Sequence, residues 1–213
     1  GLISNNFFNL NEKDGLALIK NSTSKFKNIY RIQDYMVNCY YNSDQVGKKF
    51  EDLISNNSTE GSRYIFYQAS YLDNNNMQKN AINLVSKKIS SNPQSLILQQ
   101  FLIDLKNRKS NDYNNQFDCK KIDNILAEFF YIVSNSLSAQ SVYSLSNFYL
   151  NLAKYLNPQL ISYETLYAEN SLLDGNDVKS EKLYKKIKSK GSVYSWYASK
   201  KIFQILIDKK KDK

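Results

Sequence analysis

Two stretches of this chain decide its fold: RYIFYQASYLDNNNMQKNAINLVSKKISSNP (residues 63–93) and EFFYIVSNSLSAQSVYSLSNFYLNLAKYLNP (residues 128–158). Each ends in one of the chain's two prolines, Pro93 and Pro158, which are 65 residues apart (158 − 93). That offset places apolar residues on apolar residues and small residues on small ones. The matched pairs are Ile65 with Phe130, Phe66 with Tyr131, Leu72 with Leu137, Val85 with Leu150, Ala69 with Ser134, and Ala81 with Ser146. Such an offset indicates an internal repeat, because it is close to twice about 34 residues, a common length for a helical hairpin unit.

The spacing of the apolar residues predicts an all-α fold. They recur three and four positions apart, and no stretch shows the sustained alternation typical of a strand. We expect one domain, residues 1–213, with about five to six helical hairpins. The expected helices are Leu2–Leu10, Gly15–Ser24, Asn28–Tyr41, Ser43–Asn56, Ser62–Asp73, Met77–Ser90, Pro93–Arg108, Lys120–Leu137, Ser141–Leu156, Pro158–Leu173, Asn176–Lys188 and Ser192–Asp208. The polar stretch Lys109–Asp118 predicts an exposed loop in one degenerate repeat.

The composition is that of a folded protein with one basic end. Apolar residues make up 42% of the chain and charged residues 23%, a globular rather than a disordered balance. The net charge is +9, and residues 176–213 alone hold 12 lysines and 4 acidic residues, a net of +8. Such an end is compatible with nucleic acid or an anionic surface as partner. A solvated last hairpin is the simpler interpretation, which we prefer.

The cysteines and the absence of histidine bear on metal sites. Cys39 and Cys119 stand alone without a CxxC pair, and the chain has no histidine. The usual Cys and His zinc sites are therefore excluded, and we expect neither metal nor cofactor. The sequence allows one bridge between the cysteines. We expect two unpaired buried thiols instead, because the two residues are 80 positions apart in a stack of hairpins.

The sequence shows no catalytic motif. It has no phosphate-cradling glycine loop, no GxSxG, and no histidine to act as a general base or to activate a cysteine nucleophile. Adjacent carboxylates such as Glu51 and Asp52 point away from each other on a helix. We therefore expect that the protein is not an enzyme.

The chain resembles tetratricopeptide-repeat proteins. The segments that carry the resemblance are ILAEFFYIVSNSL (125–137), YLNLAKYLNPQL (149–160), SLLDGNDVKSEKLYKKI (171–187) and SVYSWYASKKI (192–202). They are similar to the C-terminal part of long alphaproteobacterial members of the family. The resemblance implies a right-handed superhelical solenoid that ends in a capping helix. The sequence departs from the family consensus where Ser134, Ser146 and Ser180 replace alanines.

The resemblance also implies a non-catalytic scaffold that binds a peptide or protein on its concave face. Carrying the consensus positions onto this chain predicts a groove lined by Arg63, Phe66, Ser70, Ile97, Gln100, Asp104, Glu128, Tyr131, Asn135, Ser162, Thr165 and Glu169. These side chains do not form the lysine, asparagine and arginine clamp that grips a peptide carboxylate in one version of the fold, so we expect no such clamp. Packing between hairpins is an equal alternative for Phe66 and Tyr131.

The alternative function is binding of nucleic acid or an anionic surface through the basic end. Its residues would be Lys179, Lys182, Lys185, Lys186, Lys188, Lys190, Lys200 and Lys201, because lysines neutralise phosphates. Tyr184 lies among them and could stack on a base, but it occupies a core position of the repeat. Lysines on one continuous face would favour this function, and we expect nucleic-acid binding to fail.

The start of the chain does not indicate the cellular compartment of the protein. No apolar run approaches the ~18 residues needed to cross a bilayer, and no signal-peptide pattern follows Gly1. The helical pattern opens directly at Leu2, Ile3, Phe7 and Phe8, as in a portion excised from a longer protein, so a targeting segment can lie outside this sequence. We expect a soluble bacterial protein of the cytoplasm or periplasm. The apolar start would also allow self-association through terminal repeats.

Overall fold

The computed structural model describes residues 11–21, 27–55, 61–107 and 116–211, and within these ranges the protein is all-α. The helices are α1 (Glu12–Asn21), α2 (Lys27–Tyr41), α3 (Val46–Ser55), α4 (Gly61–Asn74), α5 (Gln78–Ser91), α6 (Leu96–Lys106), α7 (Ile122–Ala139), α8 (Tyr143–Leu156), α9 (Ile161–Leu173), α10 (Asp177–Ile187) and α11 (Ser192–Lys211), with a short 3₁₀ turn at Lys188–Lys190. The predicted all-α fold is confirmed for these ranges. The expected helix Leu2–Leu10, with its self-association residues, lies outside the described residues, as does most of the Lys109–Asp118 loop.

Four turns between helices share one backbone conformation. Asn42, Asn76, Ser141 and Gly175 follow α2, α4, α7 and α9 with positive φ angles of 56°, 62°, 61° and 75°. In each turn the next N–H donates to the carbonyl five residues back, as Asn176 N does to Ser171 O at 2.8 Å, which is the Schellman motif. The four turn residues are 34, 65 and 34 positions apart, so the same hairpin recurs along the chain.

The paired helices meet at small residues. Three pairs, each 12 positions apart, are completely buried: Ala69 with Ala81, Ser134 with Ser146, and Ala168 with Ser180. The hydroxyls of Ser134 and Ser146 are 2.8 Å apart, and Ser180 Oγ donates to Ala168 O at 3.0 Å. The buried hydroxyls of Ser134, Ser146 and Ser180 are therefore satisfied by hydrogen bonds at the helix contacts.

The core consists of two apolar clusters along the array. The first is built mainly on α2 to α9. The second joins α9, α10 and α11 and includes Tyr184, which is completely buried. Helix α11 packs against α10 and also reaches back to α6. The last helix therefore covers a surface near the middle of the array as well as its end.

The two prolines lie in turns rather than at helix starts. Helices α6 and α9 begin at Leu96 and Ile161, three residues after Pro93 and Pro158, so the predicted starts were wrong. At the first site Ser95 N donates to Asn92 O at 3.4 Å. This bond closes a turn with proline at its second position, where the fixed φ of proline is favoured.

The segment 116–121, just before α7, corrects two predictions. Phe117 was placed in an exposed loop, but its ring is buried and stacks on Tyr67 with centroids 3.7 Å apart. The two cysteines were expected to be unpaired, but Cys39 and Cys119 form a disulfide, with Cα atoms 5.8 Å apart. The physical reason is that this segment enters the core and brings Cys119 beside the end of α2. Separation along the sequence did not imply separation in space.

Candidate functional site

A buried ion pair lies at the centre of the predicted groove. Arg63 on α4 and Glu128 on α7 are exposed by only 8% and 0%. Arg63 Nη2 donates to Glu128 Oε1 at 2.7 Å, and Arg63 Nε lies 2.9 and 3.0 Å from the two carboxylate oxygens. Charge-assisted hydrogen bonds of this kind are the strong ones in proteins. The pair therefore joins the two helices firmly.

Tyrosines complete the surroundings of this ion pair. Tyr64 and Tyr67 donate to the Glu128 carboxylate at 3.1 and 2.5 Å, and the guanidinium of Arg63 lies 4.5 Å from the ring centroid of Tyr131. Burial and the neighbouring carboxylate raise the pKa of Tyr67 well above its ordinary value, so this phenol keeps its proton. Because the cluster is closed to solvent and its charges are compensated, it is suited to stabilising the fold rather than to transferring protons.

The predicted groove residues fall into two classes. Six are buried: Arg63, Phe66, Ser70, Gln100, Glu128 and Tyr131. Six are partly exposed: Ile97, Asp104, Asn135, Ser162, Thr165 and Glu169. The structure brings Arg63, Glu128 and Tyr131 together, and it separately joins Gln100 to Asp104. The buried members have little exposed surface in this structure, and Phe66 contacts Phe101 while Tyr131 contacts Tyr163, with ring centroids 4.9 and 5.4 Å apart.

The start of α11 covers Gln100, one of the buried groove residues. Gln100 Oε1 on α6 accepts a hydrogen bond from Val193 N at 3.0 Å, which caps the first turn of α11. Gly191 precedes that turn with φ of 134°, and a Cβ there would collide with the Gln100 side chain. Tyr194 follows and is buried. Sequence reasoning missed this contact, because it joins residues 93 positions apart that share no motif.

A polar cleft of about 530 Å³ opens beside this contact, between α6, the turn before α9 and the start of α11. Its polar lining consists of Gln100, Asp104, Asn107, Gln116, Gln159, Ser189, Lys190 and Ser192. Two of these, Gln100 and Asp104, were predicted as groove residues. The other six were missed, since they lie in turns or at helix ends and the sequence gives no signal that they converge.

The cleft contains groups that can bind a polar partner. Gln100 Nε2 donates to Asp104 Oδ1 at 2.9 Å, so Gln100 is already fixed in place. Asn107 and Gln159 are exposed. Gln116 Oε1 is buried and accepts no hydrogen bond within the described part of the chain. Each side-chain amide offers a donor and an acceptor side by side, the same combination as a peptide unit.

The predicted groove residues of α9 serve local contacts. Thr165 Oγ1 donates to Ser162 O on its own helix at 2.9 Å. Glu169 Oε1 accepts from the Tyr197 hydroxyl at 2.5 Å and lies 3.9 Å from Lys201 Nζ. The two contacts of Glu169 join α11 to α9.

Among the described lysines of the basic end, Lys185, Lys186, Lys201 and Lys209 contact carboxylates. Glu181 contacts Lys185 at 2.7 Å and Lys209 at 3.3 Å. Glu164 contacts Lys186 at 2.6 Å and Lys154 at 2.9 Å. Burial would raise the pKa of Glu164, but its hydrogen bonds to the two lysines outweigh burial and hold that pKa below its ordinary value.

Burial also determines which groups of the basic end are available to a partner. Tyr184, the aromatic residue among the lysines, is buried, and burial raises its pKa to about 12. It is therefore a core residue and is not available for stacking on a base.

Residues 11–21, 27–55, 61–107 and 116–211 contain no group of three or more His, Cys, Asp or Glu side chains placed to bind a metal ion. In the same ranges no helix is long and apolar enough to cross a bilayer.

Comparisons with protein-family models, with curated proteins and with solved structures find no match to this chain.

Proposed function

We propose that this chain is a tetratricopeptide-type helical repeat that acts as a non-catalytic binding scaffold for an extended peptide or protein segment. The turn residues Asn42 and Asn76 are 34 positions apart, as are Ser141 and Gly175, and this period supports the repeat assignment. The buried small pairs at the helix contacts support it further. The right-handed superhelix and the capping role of α11 belong to the same proposal.

The observation that carries the binding function is the amide lining of the cleft between α6 and α11. An extended peptide exposes backbone N–H and C=O groups that need partners. Asn107 and Gln159 can supply both kinds of group, and the buried amide oxygen of Gln116 accepts no hydrogen bond from the residues that the structure describes. Asp104 and Lys190 add one charge of each sign. We therefore place the partner in this cleft rather than along the whole predicted groove.

We place this function in an oxidising compartment, such as the periplasm. The Cys39–Cys119 disulfide supports the assignment, since structural disulfides persist there and are rare in the reducing cytosol. We do not extend the proposal to nucleic acid, because Lys185, Lys186 and Lys209 are bound to carboxylates.

The test is a selection of peptides from a random displayed library on the immobilised protein, followed by titration of the best peptide. Gln159→Ala should weaken its binding about fivefold, the effect of losing one hydrogen bond of about 1 kcal/mol. Gln94→Ala is the matched control, because Gln94 follows Pro93 as Gln159 follows Pro158 but does not line the cleft. Failure to select any peptide, or equal effects of the two substitutions, would contradict the proposal.

A further inference from the structure

The outer face of α11 exposes three large apolar side chains. Trp196, Phe203 and Leu206 are 67%, 63% and 46% exposed, and their spacing of seven and three residues places them along one face of the helix. The opposite face buries Tyr194 and Ile205 in the core. A helix that is apolar on both faces is ordinarily covered on both. We call the three exposed residues the α11 ridge.

The charge beside the ridge is positive. Lys200 Nζ lies 5.6 Å from the Trp196 ring centroid, and no carboxylate within the described ranges pairs with it. By contrast, Lys201 and Lys209 on the same helix contact Glu169 and Glu181. The ridge therefore combines an exposed tryptophan with a lysine that forms no ion pair with a described carboxylate.

The shape and charge of the ridge favour one occupant. None of the three ridge residues lines the clefts of about 440, 420 and 530 Å³. A second copy would bring two segments of net charge +8 together, which repel each other. A lipid headgroup layer needs no complementary groove and favours tryptophan and phenylalanine at its boundary, with lysine beside anionic phosphates.

We propose that the α11 ridge binds the surface of an anionic phospholipid membrane. Trp196, Phe203 and Leu206 insert among the headgroups, and Lys200 contacts the lipid phosphates. The helix lies on the membrane and does not cross it. This proposal stands apart from peptide binding in the cleft, which uses different residues.

The chain supplies its own probe, since Trp196 is its single tryptophan. Vesicles of phosphatidylcholine are compared with vesicles that contain equal parts of phosphatidylcholine and phosphatidylglycerol. Trp196 emission should shift to shorter wavelength with the anionic vesicles, and the protein should sediment with them. Lys200→Gln should weaken this binding about fivefold, because a lysine near an anionic surface contributes about 1 kcal/mol.

Two substitutions locate the contact while leaving the probe in place. Phe203→Ser should weaken vesicle binding about tenfold or more, as expected for loss of a buried phenylalanine. Tyr155→Ser on α8 is the control, because Tyr155 is an 84% exposed aromatic residue on another helix, and it should leave binding unchanged.

Three results would overturn the proposal. They are equal binding to neutral and anionic vesicles, no emission shift with either vesicle, and an emission shift caused by raising the protein concentration alone, which would indicate a second copy as the occupant. The comparison of the two vesicles uses the unmodified protein, so it tests membrane binding even where a variant does not fold.

Discussion

Arg63 and Glu128 form a buried ion pair whose members occupy equivalent positions of the internal repeat. They are 65 residues apart, the same offset that relates Pro93 to Pro158, and Arg63 Nη2 lies 2.7 Å from Glu128 Oε1. One repeat position therefore holds a cation in one hairpin and an anion in the other. The pair connects the hairpins on either side of α6, for which no second helix is seen within the described ranges.

Breaking this ion pair should be costly. Glu128→Gln leaves the Arg63 charge buried without its partner, and we expect the free energy of unfolding to fall by about 3–5 kcal/mol. The measurement is urea denaturation followed by helical circular dichroism. The control is Glu51→Gln, which removes an exposed carboxylate of α3 and should change stability by no more than about 0.5 kcal/mol.

The double variant Arg63→Met with Glu128→Leu removes both charges, and it should be more stable than Glu128→Gln alone. Apolar replacement of a complete buried pair is often neutral. A loss of less than about 1 kcal/mol in Glu128→Gln would show that the site is hydrated or loosely packed, contrary to the structure.

The turns give a second prediction, because a serine and a glycine adopt the same left-handed backbone conformation in two of them. Ser141 and Gly175 both have positive φ, 61° and 75°, but only glycine adopts it without steric cost. Ser141→Gly should stabilise the protein by up to about 1 kcal/mol, and Gly175→Ser should destabilise it by a similar amount. Thermal unfolding of the two variants checks this. A loss of stability in Ser141→Gly would contradict the left-handed assignment.

Small residues at the helix contacts give a third prediction. Ala69 is completely buried where α4 meets α5, so Ala69→Leu should overpack the contact and lower stability by roughly 1–3 kcal/mol. Asn75→Leu is the matched control, because Asn75 is exposed in the turn between the same helices. Similar denaturation midpoints for the two variants would show that the helices do not meet at Ala69.

Local signals in the sequence were sufficient to predict the helices, but they could not predict which groove residues are accessible. Apolar spacing and the asparagine and glycine turns placed nearly every described helix within a few residues, since both act over one or two helical turns. Whether the predicted groove residues are accessible depends on which side of the helices is left uncovered by other parts of the chain. Gln100 is covered because α11 returns to contact α6, and no spacing within either helix specifies that contact.

The same limit explains the error about the cysteines. Nothing near Cys39 or Cys119 in the sequence indicates that the segment before α7 enters the core, although Phe117 is an apolar residue within the polar stretch. Its burial against Tyr67 brings Cys119 to the end of α2. A single apolar residue among asparagines was the only available signal, and it was weaker than the polar composition around it.

The disulfide gives a fourth prediction. It closes a loop of 80 residues between Cys39 and Cys119, and a crosslink of that length stabilises a protein by about 2–4 kcal/mol, chiefly by restricting the unfolded chain. The urea midpoint of the unmodified protein should therefore fall when dithiothreitol is added. Cys39→Ser with Cys119→Ser should remove that sensitivity. Mass spectrometry after alkylation without reductant should find no modified cysteine, and two modified cysteines would contradict the structure.

The last prediction concerns acid and the carboxylate of Glu164. Its contacts to Lys154 and Lys186 hold its pKa in the folded protein below the ordinary value. A carboxyl group with a lowered pKa contributes stability at pH values above its pKa in the unfolded chain, and that contribution disappears as pH falls through the folded value. The unmodified protein should therefore be more stable than Glu164→Gln at neutral pH.

That difference should shrink steadily in acid as Glu164 takes up its proton. The measurement is the urea midpoint of both proteins over a series from neutral to strongly acidic pH. Asp44→Asn serves as control, because Asp44 is exposed, and its difference from the unmodified protein should stay small throughout. A Glu164→Gln difference that is constant with pH, or that grows in acid, would show that the two lysines do not stabilise the ionised carboxylate.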